Sequence, residues 1–183
     1  LAKRNHNWSS SLKPSLVCSV IKKTIFSLYP KKIRLISNKD IRWSKCHIKT
    51  VSLLPNVLLK QKALNNNAYE CILKDNNDYI TEATTSNIWL LKNKCLITTP
   101  LSSNILAGVT RKKVLEVAKS LKIKVFEKKF KEHDLYNADG TFITNSSSII
   151  LEANKLNKKF LSVDQSGFMK KLKLAMFEKI KND

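Results

Sequence analysis

A lysine amine attacks carbonyl compounds only when it is not a hydrated ammonium, and Lys49 stands where that state is accessible. It closes the segment Asp40-Ile-Arg-Trp-Ser-Lys-Cys-His-Ile-Lys49 and precedes an apolar run. A lysine so placed either lies along the surface with its head in water, or is desolvated, which lowers its pKa and frees the amine. Glu82-Ala-Thr-Thr-Ser-Asn87 sets one carboxylate ahead of a cluster of small hydroxyls. Leu106-Ala-Gly108-Val109-Thr110-Arg111 sets a glycine and a hydroxyl where a helical pattern begins, and free N–H groups at a helix start make a phosphate cradle. Each segment alone has a plainer reading, as a turn or a helix-opening glycine.

The elements that must position these groups follow from periodicity. The β-branched stretch Leu16–Phe26 reads as a strand pair or one long strand, and Lys32–Ser37 as another strand. Asp40-Ile41-Arg42-Trp43 leads into a short turn before Lys49. Leu53, Leu54, Val57, Leu58 and Gln61 fall at helical spacing, Pro55 is tolerated early, and Asn65-Asn66-Asn67 ends the helix. Strands over Tyr69–Lys74, Tyr79–Glu82, Asn87–Lys92 and Cys95–Thr99, with turns at Asp75–Asp78 and Lys92–Lys94, predict a meander. Thr110 is the expected N-cap of a helix through Leu121, with Val114, Leu115, Ala118 and Leu121 on one face. Strands at Lys122–Phe126 and Thr141–Thr144 and a helix over Phe168–Ile180 complete the reading. The order is mixed α/β, with hairpins and not strict βαβ alternation, and with no internal repeat or long linker.

A chain of 183 residues that is 43% apolar can bury one substantial core. No apolar run is long enough to span a membrane, and no leader pattern opens the sequence. Cys18, Cys46, Cys71 and Cys95 form no C-x-x-C pair; they read as reduced, mostly buried thiols of a cytoplasmic protein, and no metal site is expected. Thirty-four Lys and Arg against fourteen Asp and Glu give a formal charge of +20. The excess is scattered in pairs such as Lys22-Lys23 and Lys158-Lys159, without interleaved stacking aromatics, so a solvated surface is favoured over nucleic-acid binding. The opening Leu-Ala-Lys-Arg, with no initiator Met, suggests a fragment or a processed product.

Taken in order, Ile41-Arg-Trp through Asn56-Val-Leu, Ala68-Tyr-Glu70, Glu82-x-Thr-x-x-Asn87, Ile97-Thr-Thr and Leu106-Ala-Gly-Val-Thr-Arg111 resemble the class IV aminotransferase family. That family includes D-amino-acid and branched-chain aminotransferases and aminodeoxychorismate lyase. The resemblance covers nearly the whole chain and implies the large C-terminal domain of a fold-type IV enzyme, a distorted barrel-like sheet with flanking helices. It implies pyridoxal 5'-phosphate as cofactor, with Lys49 forming the Schiff base and later moving the Cα proton. Glu82 matches the carboxylate that pairs with the pyridine nitrogen, keeping the ring an electron sink. Leu106 matches the apolar residue on the ring face. Gly108, Val109 and Thr110 match the phosphate cup, Ser86 and Thr85 hydroxyls near the cofactor, and Asn145-Ser146-Ser147 a further loop on the phosphate and substrate side. Arg42 and Glu70 match a buried pair near the lysine, a purely structural ion pair being the alternative.

Arg4-Asn5-His6 resembles the Arg-x-His element of D-amino-acid aminotransferases, which traps the substrate α-carboxylate across a dimer interface. The implied reaction is transamination between an amino acid, D-alanine for instance, and a 2-oxo acid, in a homodimer. A branched-chain aminotransferase or aminodeoxychorismate lyase is the alternative, and an inactive, polyanion-binding relative a second. Trp89 stands where the family has Phe or Tyr, and Ala107 where it has Pro or Asn. Most of the family's small N-terminal domain lies upstream of Arg4. Residues 1–39 are accordingly expected to be its remnant and the interdomain connection, and residues 40–183 the cofactor-binding domain.

Overall fold

The structure is a computed structural model that describes residues 6, 13–21 and 32–182. Its elements run β1 (Lys32–Lys39), α1 (Leu54–Asn65), β2 (Glu70–Lys74), β3 (Ile80–Ala83), β4 (Asn87–Lys92), β5 (Cys95–Thr98), α2 (Val109–Ser120), β6 (Val125–Glu127), α3 (Glu132–Tyr136), β7 (Gly140–Asn145), β8 (Ile149–Leu156), β9 (Lys159–Phe160) and α4 (Phe168–Lys181). The strands form one mixed sheet in the order β3-β2-β1-β8-β7-β4-β5-β6, with β9 folded back on β8.

The sheet rolls up. β3 is an edge strand, yet its start bridges Tyr79 to Lys131, just past the other edge strand β6, and Ile80 donates its N–H to the Phe130 carbonyl at 2.9 Å. Alternation along the strands sorts side chains to two faces. Leu35, Ile72, Ile80, Ile88, Leu90, Ile143 and Leu151 fill the interior together with Phe130 and Leu135. Trp89, Leu91, Leu96, Phe142 and Ile150 point the other way and are covered by Val114 and Val117 of α2 and Leu172 and Met176 of α4. A smaller cluster seats Leu59 and Ala63 of α1 on Cys71 and Leu73.

Several expectations need correction. The four strands β2 to β5 are not a meander: β2–β3 and β4–β5 are antiparallel hairpins, but β4 pairs with β7. Two βαβ units are present, because β1 and β2 run parallel around α1, and β5 and β6 around α2. Local periodicity reports elements but not which edge an adjacent strand chooses. Lys32–Lys39, expected with the N-terminal remnant, lies inside the sheet between β2 and β8, so this sheet begins before residue 40. Residues 16–21 are exposed and without regular structure, and 22–26 lie outside the described residues.

The helix expected at Leu53–Ala63 is present, but it buries Leu59 and Ala63 and leaves Leu54, Val57 and Leu58 exposed. Gly108, not Thr110, is the N-cap of α2. The strand expected from Lys122 starts at Val125, because Lys122 takes a left-handed φ of 55°. Of the cysteines only Cys71 is buried; all four are free thiols. Among the described residues no helix is long and apolar enough to cross a membrane.

Candidate active site

The loop Ile41–Leu53 between β1 and α1, the β3–β4 turn, the end of β7 and the start of α2 enclose a cleft of about 410 Å³. Its walls bring together Lys49, Glu82, Ser86, Leu106, Gly108, Val109, Thr110 and Ser146, groups drawn from four separate stretches of sequence. Thr85 and Asn145 line it as well. Glu70 does not. His6 is exposed and is not among the lining residues, and Arg4 lies outside the described residues.

Glu82 is the best-held group. Its Oε1 accepts Arg42 Nη1 at 2.5 Å, and its Oε2 accepts Asn87 Nδ2 at 3.1 Å and the Leu106 N–H at 3.2 Å. Burial pushes its carboxyl up to about 7, against the pull of Arg42 and the Leu106 N–H. Arg42 is anchored from behind: Nε and Nη2 donate to Asp40 at 2.9 and 2.8 Å, and Nη2 also to the Asn104 carbonyl at 2.9 Å. Burial works against the guanidinium charge, but Asp40 and Glu82 outweigh it and hold Arg42 above its ordinary value. Asp40 also accepts Thr81 Oγ1 at 3.0 Å; burial raises its carboxyl, yet Arg42 brings it below the ordinary value.

Arg42 and Glu70 are therefore not a pair, contrary to expectation. Glu70 is fully buried elsewhere, accepting the hydroxyls of Thr84 and of Thr85 (2.6 Å for the latter), with Lys60 Nζ 3.6 Å away. It thereby holds the β3–β4 turn from the rear, while Asn56 Nδ2 donates to the Thr84 carbonyl at 2.6 Å. Ser86 Oγ, at the front of that turn, accepts Asn145 Nδ2 at 3.0 Å.

Lys49 lines the cleft and is exposed, the first of the two placements open to it from sequence. Its neighbours His47 and Ile48 are exposed with it, so this stretch of the loop lies at the surface. At the other end, α2 begins at Val109 with no side-chain cap, so the N–H groups of its first turn have no intrahelical acceptor. Gly108, Val109 and Thr110 present that end to the cleft. An acid, an amine, an apolar side chain and a helix start without a side-chain cap thus share one cavity. This donor set fits a flat ring that carries a protonated nitrogen and a phosphate.

The sequence pattern assigns no holding role to Asn87 or Asn104 and none to Asp40, while Asn145, expected in a loop beside the site, lines the cleft and donates to Ser86. Asp40-x-Arg42 and the terminal Asn of Glu-x-Thr-x-x-Asn were visible, but nothing in a one-dimensional pattern says which acceptor an amide will find.

The solved structures this fold resembles include a protein from Legionella pneumophila provisionally described as a 4-amino-4-deoxychorismate lyase, with TM-score 0.75 and 24% identity, covering 86% of this chain and 59% of that one. The branched-chain amino acid aminotransferase of Escherichia coli aligns with TM-score 0.70 and 24% identity over 83% of this chain and 53% of its own. In sequence, the D-alanine aminotransferase of Bacillus licheniformis is 32% identical over 161 residues, 85% of this chain and 55% of that protein. That of Staphylococcus epidermidis is 33% identical over 144 residues, 79% of this chain and 51% of the relative. The chain spans about half the length of these curated relatives. The profile of the amino-transferase class IV family matches residues 2–156, and the chain belongs to that family.

Proposed function

We propose that this chain is the cofactor-carrying part of a pyridoxal-phosphate-dependent transaminase acting between an amino acid, foremost a D-amino acid such as D-alanine, and a 2-oxo acid. The observation that carries the reading is the single cleft shared by Lys49, Glu82, Leu106 and the uncapped start of α2. The D-alanine aminotransferases among the relatives support the substrate class.

When bound, pyridoxal phosphate supplies an electron sink for the bonding pair left at the amino acid Cα. The work of the protein is positional and electrostatic. Glu82 would accept a hydrogen bond from the proton-bearing ring nitrogen, and Arg42 pulls that carboxyl towards its charged form against the effect of burial. Val109 and Thr110 would bind the phosphate through backbone N–H groups and the Thr110 hydroxyl. Leu106 would pack against the ring, and Ser86 and Ser146 would add hydroxyl hydrogen bonds. Lys49 is the amine that would hold the cofactor, and as a free amine it would serve as general base for the Cα proton. Arg4 and His6 bind the substrate carboxylate in a cytoplasmic homodimer. The exposed Leu54, Val57, Leu58 and Val109 are apolar surface available for burial there.

The test is borohydride reduction of the protein mixed with pyridoxal phosphate, followed by peptide mapping. A reduced adduct on Lys49, lost in Lys49→Ala, is expected; labelling scattered over surface lysines would overturn the reading. Assay of the complete protein with D- and L-alanine decides the handedness. Preference for L-branched substrates would favour the branched-chain alternative.

A further inference from the structure

We propose that Asn87 is the positioning residue that fixes the orientation of the Glu82 carboxylate, and that position 108 is glycine to make room for Asn87. The proposal rests on the pyridoxal-phosphate reading of the cleft and deepens it.

Asn87 opens β4, five residues after Glu82 near the end of β3. It is buried, and its Nδ2 group has two hydrogens to place. It donates to Glu82 Oε2 at 3.1 Å and to the Leu106 carbonyl at 2.9 Å. The Leu106 N–H returns to the same Oε2 at 3.2 Å. Amide, peptide and carboxylate thus form a closed ring that ties Leu106 to Glu82.

A carboxylate offers about four acceptor sites. Among the described residues, Oε2 is engaged by Asn87 and Leu106, and Oε1 by Arg42 alone. The remaining site is on Oε1. Asn87 therefore decides which oxygen is left for an incoming N–H donor, and stops the carboxylate from rotating.

Gly108 follows from the same ring. Its backbone, φ −63° and ψ 138°, suits any L-residue, so conformation does not demand glycine there. Space does: a Cβ at 108 would overlap Asn87 Oδ1, while its other neighbours, Asn87 Cγ at 3.5 Å and Arg111 Cβ at 3.8 Å, are ordinary contacts. Asn87 cannot step aside without surrendering both of its hydrogen bonds.

The experiment is a cycle of Asn87→Ala, Gly108→Ala and the double variant in the full chain, with two readouts. One is the titration of the Glu82 carboxyl in cofactor-free protein by 13C NMR, assigned by its loss in Glu82→Gln. The other is the dissociation constant for pyridoxal phosphate. Losing a donor to the charged form should raise the Glu82 ionisation by about one pH unit and weaken cofactor binding roughly tenfold in Asn87→Ala. Gly108→Ala should reproduce both shifts, and the double variant should match Asn87→Ala alone. Arg42 and Asp40 are untouched throughout, so the shift reports the amide.

Additive effects in the double variant would overturn the role assigned to Gly108. An unmoved Glu82 titration in Asn87→Ala, with only a lowered unfolding midpoint, would overturn the role assigned to Asn87. Should Asn87→Ala not fold, Asn87→Ser gives the same cycle. A wild-type chain that binds no cofactor refutes the functional reading, while the titration still judges the positioning.

Discussion

Arg42 Nη1 lies 2.5 Å from Glu82 Oε1, and the two side chains are only 4% and 6% exposed. With Asp40 behind, this is a line of acid, base and acid shut away from water. Breaking such an arrangement costs more than the contact itself contributes, because it strands a buried charge.

Arg42→Ala should therefore destabilise the chain by roughly 3–5 kcal/mol, read as a fall in the urea midpoint. Arg42→Lys should recover only part of this, since one ammonium cannot reach Asp40, Glu82 and the Asn104 carbonyl together.

Glu82 makes stability depend on pH in a definite direction. Its folded pKa is raised from 4.5 to about 7, so the folded chain binds the proton more tightly than the unfolded one. That contribution is fully present below pH 4.5 and is lost as pH rises to about 7. At about 1.4 kcal/mol per unit the whole swing is roughly 3 kcal/mol. The stability of wild type minus that of Glu82→Gln, followed by chemical denaturation, should fall across this window and level off above it. A difference that rises with pH would contradict the burial-dominated shift.

Glu70→Ala should leave the Thr84 and Thr85 hydroxyls without their acceptor and Lys60 without its counter-charge. A loss of roughly 3 kcal/mol is expected. Faster amide exchange confined at first to residues 84–86 would mark the turn as the place where the loss is felt.

Trp89→Phe tests a substitution towards the residue type usual in the family. Trp89 is fully buried, donates Nε1 to Thr144 Oγ1 at 3.0 Å and stacks on Phe142 with ring centroids 5.8 Å apart. Phenylalanine keeps the stack and loses the hydrogen bond, for about 1–2 kcal/mol, whereas Trp89→Ala should cost about 3–5 kcal/mol. Thermal melts of the two variants decide this.

How much of this was legible in the residues depends on the range of the interaction. β4 was predicted to the residue because Asn87 and Lys92 bracket an apolar run, and α4 and β5 came within one residue at their ends. The β8 strand is not evident from sequence, because the Ser-rich Asn145–Ser148 reads as a site loop and masks the turn that opens Ile149-Ile-Leu. Short α3 carries no apolar period to detect. The membership of the cleft was legible, since eight expected residues line it together. The partners of Arg42 and Glu70 were not, because two acids within reach of one guanidinium differ only in three dimensions. The exposure of Lys49 was also hidden, since a loop carries no periodicity that tells which side faces water.

The rolled sheet has a further consequence. The cleft collects the ends of β3, β4 and β7, the loop after β1 and the opening of α2, and β3 and β4, consecutive in the chain, stand first and sixth across the sheet. A half-assembled chain therefore offers no half-strength version of the site. Any molecule that recognises the finished cavity draws the population towards the completed curl, so its affinity doubles as a gauge of how many molecules have closed the seam between Tyr79 and Lys131.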